Sequence, residues 1–326
     1  MLPEMLVNAR VREIALNREE AKLARALAGN CADEYVAADS PEFLAEVNVI
    51  AQELPLAPRR AVNRARLDEA KHAVLITGNM LRDDLLNDTP AHWRDPQSEE
   101  ARLSGFTLML WAALLGDPIG WTTQQDGRIL TDVLPVAGHE QTDVSSSSRK
   151  ELTWHTEDAF SPYRADYVGL YCLRNPDLTP TTLAAADPLA LPGWARETLA
   201  QPRFLTRADD AHDQDTTRPE TGAVLTGPPE AAVLRIDRDC TVAAPGDEDA
   251  RAALELIFGQ LDAGLYDFAL APGDLIFLDN RNVVHGRRPF RARYDGRDRW
   301  LRRINVTADL RRTRAGRRSG DDRRIG

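Results

Sequence analysis

Up to about residue 72 apolar side chains recur at three- and four-residue intervals, and beyond residue 120 they alternate or fall in short blocks. That change of period separates a helical stretch from a β-rich one. Val11, Ile14, Ala15, Leu23 and Leu27 predict a helix over residues 9–27, with Gly29-Asn30 as its stop. Ser40-Pro41-Glu42 has the form of a capped helix start ahead of Phe43, Leu44, Val47 and Ile50. A further helix is expected over residues 59–67, and the block Ala73-Val74-Leu75-Ile76-Thr77 before Gly78 is a short buried strand. Residues 98–115 are again helical and apolar, and Gly116-Asp117-Pro118 ends them.

From Gly120 the predicted elements are strands. They cover residues 120–123 and 128–133, on either side of a turn at Gln124-Gln125-Asp126-Gly127, then 152–157, 167–173 and 181–186. A helix follows over 191–200, a strand over 232–241 and an amphipathic helix over 245–264. The turn Pro272-Gly273-Asp274 leads into strands at 275–278 and 280–285, and residues 300–306 form the last one. The pattern predicts an α+β chain with a mainly β core. It forms one domain over 1–310, helical to about residue 72, with no linker that marks a second domain. Residues 203–219 carry four Asp and little apolar content, which fits a solvated loop or a lid over a pocket. Residues 311–326 hold seven arginines and are expected to be a disordered basic tail.

Composition narrows the classes. The 326 residues are 43% hydrophobic and 28% charged, ordinary for a globular protein, and no apolar run approaches a membrane span. A net charge of −10 argues against nucleic acid as the partner. Cys31, Cys172 and Cys240 are odd in number and far apart, and no secretory signal pattern opens the chain, so a reducing cytoplasm is expected.

His155 and Glu157 are two apart on a predicted strand and share a face, because side chains alternate. His285 lies 130 residues later and could complete a set of two imidazoles and one carboxylate, the facial triad of mononuclear Fe(II) oxygenases. Alone, His-x-Glu occurs by chance in many strands, and a lone histidine more often serves structure. Order changes that balance: a strand with His-x-Glu, a Pro-Gly-Asp turn into an apolar strand, Val-His-Gly-Arg, and Arg299 fourteen residues after His285. A guanidinium at Arg299 would suit the distal carboxylate of 2-oxoglutarate, which it can grip with two parallel hydrogen bonds. A zinc hydrolase would more often pair its histidines in H-E-x-x-H, which is missing from the sequence. Asp237 and Asp239, also two apart on a predicted strand, could fork around a guanidinium, although one of them could equally serve a turn or an arginine neighbour. Gln124 by itself reads as a turn residue and Arg303, beside Arg302, as a surface cation.

Leu152 to Phe160 with Tyr171-Cys172-Leu173-Arg174-Asn175-Pro176-Asp177 resembles the clavaminate synthase-like family of Fe(II)/2-oxoglutarate oxygenases. Within that family the chain is most similar to the free L-arginine hydroxylases of antibiotic biosynthesis, such as those of the viomycin and streptothricin pathways. The resemblance covers about residues 73–310 and implies a distorted double-stranded β-helix, or jelly roll, flanked by helices. It implies His155, Glu157 and His285 as iron ligands, with 2-oxoglutarate and O2 as cosubstrates. It also implies Arg299 as the 2-oxoglutarate clamp, helped by the hydroxyl of Thr182 or, as second choice, Thr181. Gln124 would hold the substrate α-amino group, Arg303 its α-carboxylate, and Asp237 with Asp239 the guanidinium. The implied reaction is hydroxylation of L-arginine at C3, with C4 second. A cyclic guanidino amino acid, lysine, ornithine or citrulline remain alternatives, as do desaturation, cyclisation or an inactive binder of basic amino acids.

Overall fold

The computed structural model of the protein describes residues 10–68, 70–142, 145–210, 212 and 221–326. Its largest sheet contains β1 (Val11–Ala15), β2 (Ala73–Thr77), β3 (Asp117–Trp121) and β4 (Leu130–Val133). A second sheet begins with β5 (Leu152–His155), while β6 (Tyr167–Arg174) returns to the first and β7 (Thr181–Ala185) to the second. Three short strands, β8 (Phe204–Thr206), β9 (Thr221–Gly222) and β12 (Thr241–Ala243), make a small sheet, and β10 (Leu225–Thr226) pairs with β11 (Val233–Leu234). The second sheet is completed by β13 (Tyr266–Phe268) and β15 (Val283–Arg287); the first by β14 (Leu275–Asp279), β16 (Trp300–Thr307) and β17 (Arg324–Ile325). The large sheet runs β1-β2-β14-β6-β16-β3-β17, with β4 also on β16, and the second runs β13-β7-β15-β5.

Alternation along these strands sorts side chains into three layers. Val168, Leu170 and Cys172 of β6 and Leu301 of β16 meet Leu183 and Val283 between the two sheets. The other face of the large sheet, with Tyr171, Phe277 and Trp300, packs on helix Glu99–Ala112 and on Phe43 and Val47 of helix Pro41–Ile50. The outer face of the second sheet, with Trp154, Ala184 and Val284, packs on Ile257 and Phe258 of helix Glu248–Gly264. Each of these buried large side chains is worth about 1.5–3 kcal/mol relative to exposure, so the sheets are clamped from both outer sides.

Three local expectations are corrected. Residues 11–15 form β1, an edge strand parallel to β2, rather than the start of a helix. The helix begins at Arg18 because Asn17 caps it: its Oδ1 accepts from the N–H groups of Glu19 and Glu20, and Glu20 accepts from the N–H of Asn17. It then runs through Gly29-Asn30 to Glu34, since Ala24, Ala28 and Cys31 on either side of that signal are buried in the core. The C-terminal residues form β17, parallel to β3, with Ile325 only 1% exposed beside Ile119 and Trp121. Its arginines serve the fold. Arg317 donates to the carbonyls of Leu310, Ser319, Gly320 and Asp322, and Arg323 pairs with Asp117 at 2.5 Å. The third correction, residues 232–241, bears on the cavity below. Among the described residues no helix is long and apolar enough to cross a membrane, and Cys31, Cys172 and Cys240 are buried free thiols.

Candidate metal centre and substrate cavity

The site grows from one antiparallel pairing. On β5 and β15, His155 stands directly opposite His285, and their ring centroids are 4.6 Å apart. Opposite residues of an antiparallel pair share a face, so both imidazoles enter the space between the sheets. Gly286 is required beside them: a Cβ there would lie 2.5 Å from the Leu152 carbonyl oxygen, so only glycine lets β5 come this close. Just past β5 the chain turns at Asp158, with φ 54°, and Glu157 joins the pair. Its Oε2 is 3.6 Å from His155 Nε2 and 3.3 Å from His285 Nε2, and donor atoms of the three residues lie within 4.8 Å of one another.

Surrounding groups hold this cluster in a form suited to a cation. His155 Nδ1 donates to the Thr153 carbonyl oxygen at 2.9 Å, which orients the ring and presents Nε2 to the cluster; burial works against its charged form, but the hydrogen bond and charge of Glu157 raise its pKa to about 9. Asn280, fully buried, accepts from the Glu157 N–H through Oδ1 and donates to the Glu157 carbonyl through Nδ2, which pins the backbone that carries the carboxylate. Burial works against ionisation of Glu157, but the Arg303 charge and hydrogen bonds from both histidines outweigh it and hold the carboxyl well below its usual range. Burial lowers the pKa of His285 despite Glu157, which favours the neutral imidazole that binds metals. Two imidazoles and one carboxylate, converging from one side, fit a cation that keeps its remaining positions open.

Arg299, Leu301, Arg303 and Asn305 lie at alternate positions along and just before β16, and alternation sends Arg302 to the opposite face, where it meets Asp132. This is why two consecutive arginines have different surroundings. Arg303 Nη1 is 2.5 Å from Glu157 Oε1, which leaves Oε2 to the histidines. Arg299 is 6% exposed, its Nε has no hydrogen-bond partner, and among the described residues no carboxylate pairs with its guanidinium. Burial pulls its pKa down to about 10, so it is still a cation at neutral pH, buried and in want of an anion.

Strand register decides between the two threonines. Thr182 lies opposite Gly286, whereas Thr181 lies opposite Arg287 and Leu183 opposite His285. Thr181 therefore shares the inward face with His285, and Thr182 points to the outer side with Ala184. The register thus puts Thr181, the second choice, on the inward face in place of Thr182.

The expected fork of Asp237 and Asp239 is also corrected. Residues 232–241 are not one strand: Val233–Leu234 form β11, an isolated bridge joins His155 and Asp237, and the chain then turns before β12 starts at Thr241. Asp237 Oδ1 accepts from the N–H groups of Asp239 and Cys240, an aspartate turn that destroys the period-2 alternation. Asp237 lines the cavity at the metal cluster; Asp239 is exposed, bonds Thr153 Oγ1 and opens onto a separate groove beside Arg251 and Phe258. Asp158 and Asp209 line the cavity as well, and burial pushes the pKa of Asp209 up to about 6. Arg207 and Arg303 line the same cavity. Of the expected lid at 203–219, residues 203–210 and 212 are described, Phe204–Thr206 of them as β8, and the rest lies outside the described residues.

Gln124 follows β3, is 7% exposed, and reaches Arg303 Nη2 through Oε1 at 3.0 Å. Behind it lies a buried network that sequence patterns did not reveal. Asp158 accepts from Trp121 Nε1 and Asn305 Nδ2, and its Oδ1 is 3.1 Å from His212 Nε2. Asn280, Asp158, Asp209 and His212 all escaped the pattern reading. An acid next to Glu157 and a histidine in an acidic stretch look solvated in one dimension.

Comparison with known proteins gives three concordant findings. The family model described as taurine catabolism dioxygenase TauD, TfdA family, matches residues 210–305. An enduracididine beta-hydroxylase of Streptomyces hygroscopicus is 41% identical, over 92% of this chain and 95% of its own. An L-ornithine/L-arginine 3-hydroxylase of Catenulispora acidiphila is 36% identical, over 97% of this chain and 100% of its own. In three dimensions the chain is similar to the non-haem iron oxygenase OrfP in complex with Fe, succinate and (3S)-hydroxy-L-Arg. The TM-score is 0.91 at 35% identity, covering 96% of this chain and 99% of that one.

Proposed function

The chain belongs to the TauD/TfdA-type Fe(II)- and 2-oxoglutarate-dependent oxygenases, the group that includes clavaminate synthase, and we propose that it hydroxylates free L-arginine at C3. The observation that carries the proposal is the polarity of the cavity. Around the His155, Glu157 and His285 cluster it is lined by Arg303 and Arg207 and by the carboxylates of Asp158, Asp209 and Asp237. A basic amino acid has the complementary charges. Similarity to the 3-hydroxylase and to OrfP bound to (3S)-hydroxy-L-Arg supports C3; OrfP bound to (3R,4R)-dihydroxy-L-Arg makes C4 the second choice. The 41% identity to an enduracididine beta-hydroxylase favours a second substrate, a cyclic guanidino amino acid, oxidised at the same carbon.

His155, Glu157 and His285 would hold Fe(II), and Arg299 with Thr181 would hold the distal carboxylate of 2-oxoglutarate. When bound, iron supplies the activation of O2 at the expense of 2-oxoglutarate, which leaves as succinate and CO2 while one oxygen atom enters the substrate C–H bond. The chain's own contribution is placement. Arg303 would take the α-carboxylate and Gln124 the α-ammonium, with Asp237 and Asp209 at the guanidinium, so that anchoring both ends presents the middle carbons to the metal. Asp237 keeps Oδ2 for this task because the turn occupies Oδ1. Asn280 and Arg303 fix Glu157 from the backbone and from its second oxygen, which limits the carboxylate to one geometry. The two facing sheets, joined through Val168, Leu183 and Val283, are read as a distorted jelly roll.

The test is anaerobic reconstitution with Fe(II) and 2-oxoglutarate, followed by O2 and a panel of free arginine, enduracididine, ornithine, lysine and citrulline. Succinate release and the mass gain of one oxygen atom should appear together with arginine. Succinate with no panel member would overturn the oxygenase reading, and oxidation of lysine alone would overturn the guanidinium assignment.

A further inference from the structure

His212 lies three residues beyond Asp209 and far in sequence from the metal cluster, and its side chain is only 2% exposed. It is wedged between two aromatic rings, edge-on to Trp121 at 5.3 Å and to Phe160 at 4.7 Å between centroids. Both of its nitrogens are engaged. Nδ1 is 2.8 Å from Thr123 Oγ1, and Nε2 is 3.0 Å from Gln124 Nε2 and 3.1 Å from Asp158 Oδ1. Asp158 is itself anchored by β3 through Trp121 and by β16 through Asn305.

We propose that His212 is a positioning residue that sets the side-chain amide of Gln124 and, through it, the aim of Arg303 at the substrate's α-end. The chemistry of the donors carries the step. A guanidinium only donates, so Gln124 must turn Oε1 to Arg303 Nη2 and its amide nitrogen away from it. That nitrogen meets His212 Nε2, which can accept when the ring's proton sits on Nδ1 and goes to Thr123. A proton on Nε2, which the Asp158 carboxylate favours against burial, would go to Asp158 and oppose the amide nitrogen, so the support given to Gln124 is that of the ring protonated on Nδ1. Only the oxygen end of that amide can accept from an α-ammonium. Without the imidazole, the amide is free to rotate, and the carboxylate clamp loses its lateral support.

This rests on the reading of Gln124 and Arg303 as the α-end of an arginine site, so the test separates the two. His212→Phe keeps the ring packing and removes both hydrogen bonds; His212→Gln can replace the contact to Gln124; Thr123→Val removes only the contact on the other side of the ring. Steady-state kinetics of the iron-loaded enzyme should show the KM for arginine rising about tenfold in His212→Phe, the scale of one lost hydrogen bond to a buried amide. The kcat should change less than about threefold on the same scale, and the 2-oxoglutarate KM should stay put. More of the succinate formed should come without hydroxyarginine. His212→Gln should recover most of the loss, and Thr123→Val, which keeps the ring, should show a smaller rise of the same kind. In a Gln124→Ala background His212→Phe should add nothing further. Equal penalties in both backgrounds, or a loss shared by arginine and 2-oxoglutarate, would overturn the proposal while leaving the arginine site intact. A wild-type enzyme that oxidises no basic amino acid would overturn both.

Discussion

At the metal end of the cavity His155 and His285 face each other across hydrogen-bonded strands, and Arg299 and Arg303 stand at alternate positions along a third. Beside them Asp237 sits in a turn, Asp209 follows the three-residue strand β8, and Gln124 follows β3 to meet Arg303. Sheet register holds the first set: a ligand on β15 cannot shift without moving a strand clamped by Val283 and Val284 on its two faces. The second set stands on turns and strand ends, Asp237 bonded to backbone N–H groups and Gln124 to the side chains of Arg303 and His212, which substitutions can re-aim without unfolding the core. A division of labour follows. On the proposed assignments the sheets would carry the chemistry common to the family, and the turns the choice of amino acid.

Substitutions can break this contrast, beginning at the metal end. His285→Ala removes one of three donors and should abolish both bound iron and succinate release; metal analysis showing a full complement of iron would place the metal elsewhere. Arg299→Lys keeps the charge and loses the planar fork. The KM for 2-oxoglutarate should rise on the order of 100-fold, the worth of a bidentate charged pair, with the arginine KM unchanged. Equal losses for both ligands would mean that Arg299 supports the fold rather than the cosubstrate.

At the substrate end Asp237→Asn retains an oxygen for the turn and discards the charge. It should lower kcat/KM for arginine about 30-fold, within the range for a hydrogen bond to a charged partner, and leave iron binding as it was. Turnover of arginine near the wild-type rate would remove Asp237 from the guanidinium site. Asn280→Ala, which frees the backbone of Glu157, should weaken iron binding by about tenfold, the low end for groups that orient metal ligands. It tests whether the rigidity of the metal end extends beyond its strands. Asp239→Ala is the smallest: an exposed side chain outside the cavity should change arginine kinetics by no more than about twofold. A loss as large as that of Asp237→Asn would restore the two-aspartate fork.

Legibility in the sequence followed the same boundary. The strands at 73–77, 152–155, 167–174 and 275–279 are apolar blocks or alternations bounded by turn residues, and each is found where the pattern puts it. His155, Glu157 and His285 stood out because period 2 and the Pro-Gly-Asp turn frame them. Failures came where one-dimensional period was assumed to continue. Val11 and Ile14 fit a helix as well as an edge strand until Asn17 caps the next helix and β2 supplies a partner. Arg317 and Arg323 look solvated until backbone carbonyls and Asp117 take up their charge.

By itself, then, the sequence determined which residue types could meet, because alternation and capping are local consequences of backbone geometry. It pointed to the donor set of the metal cluster and to Asp237 on the cavity. Tertiary structure alone decided which residues come together: Thr181 rather than Thr182 on the inward face, Asp237 without Asp239 on the cavity, and His212 behind Gln124. The physical reason is that register between strands and the course of a turn are set by hydrogen bonds to partners far along the chain. A one-residue change in either reverses the direction of every side chain it carries.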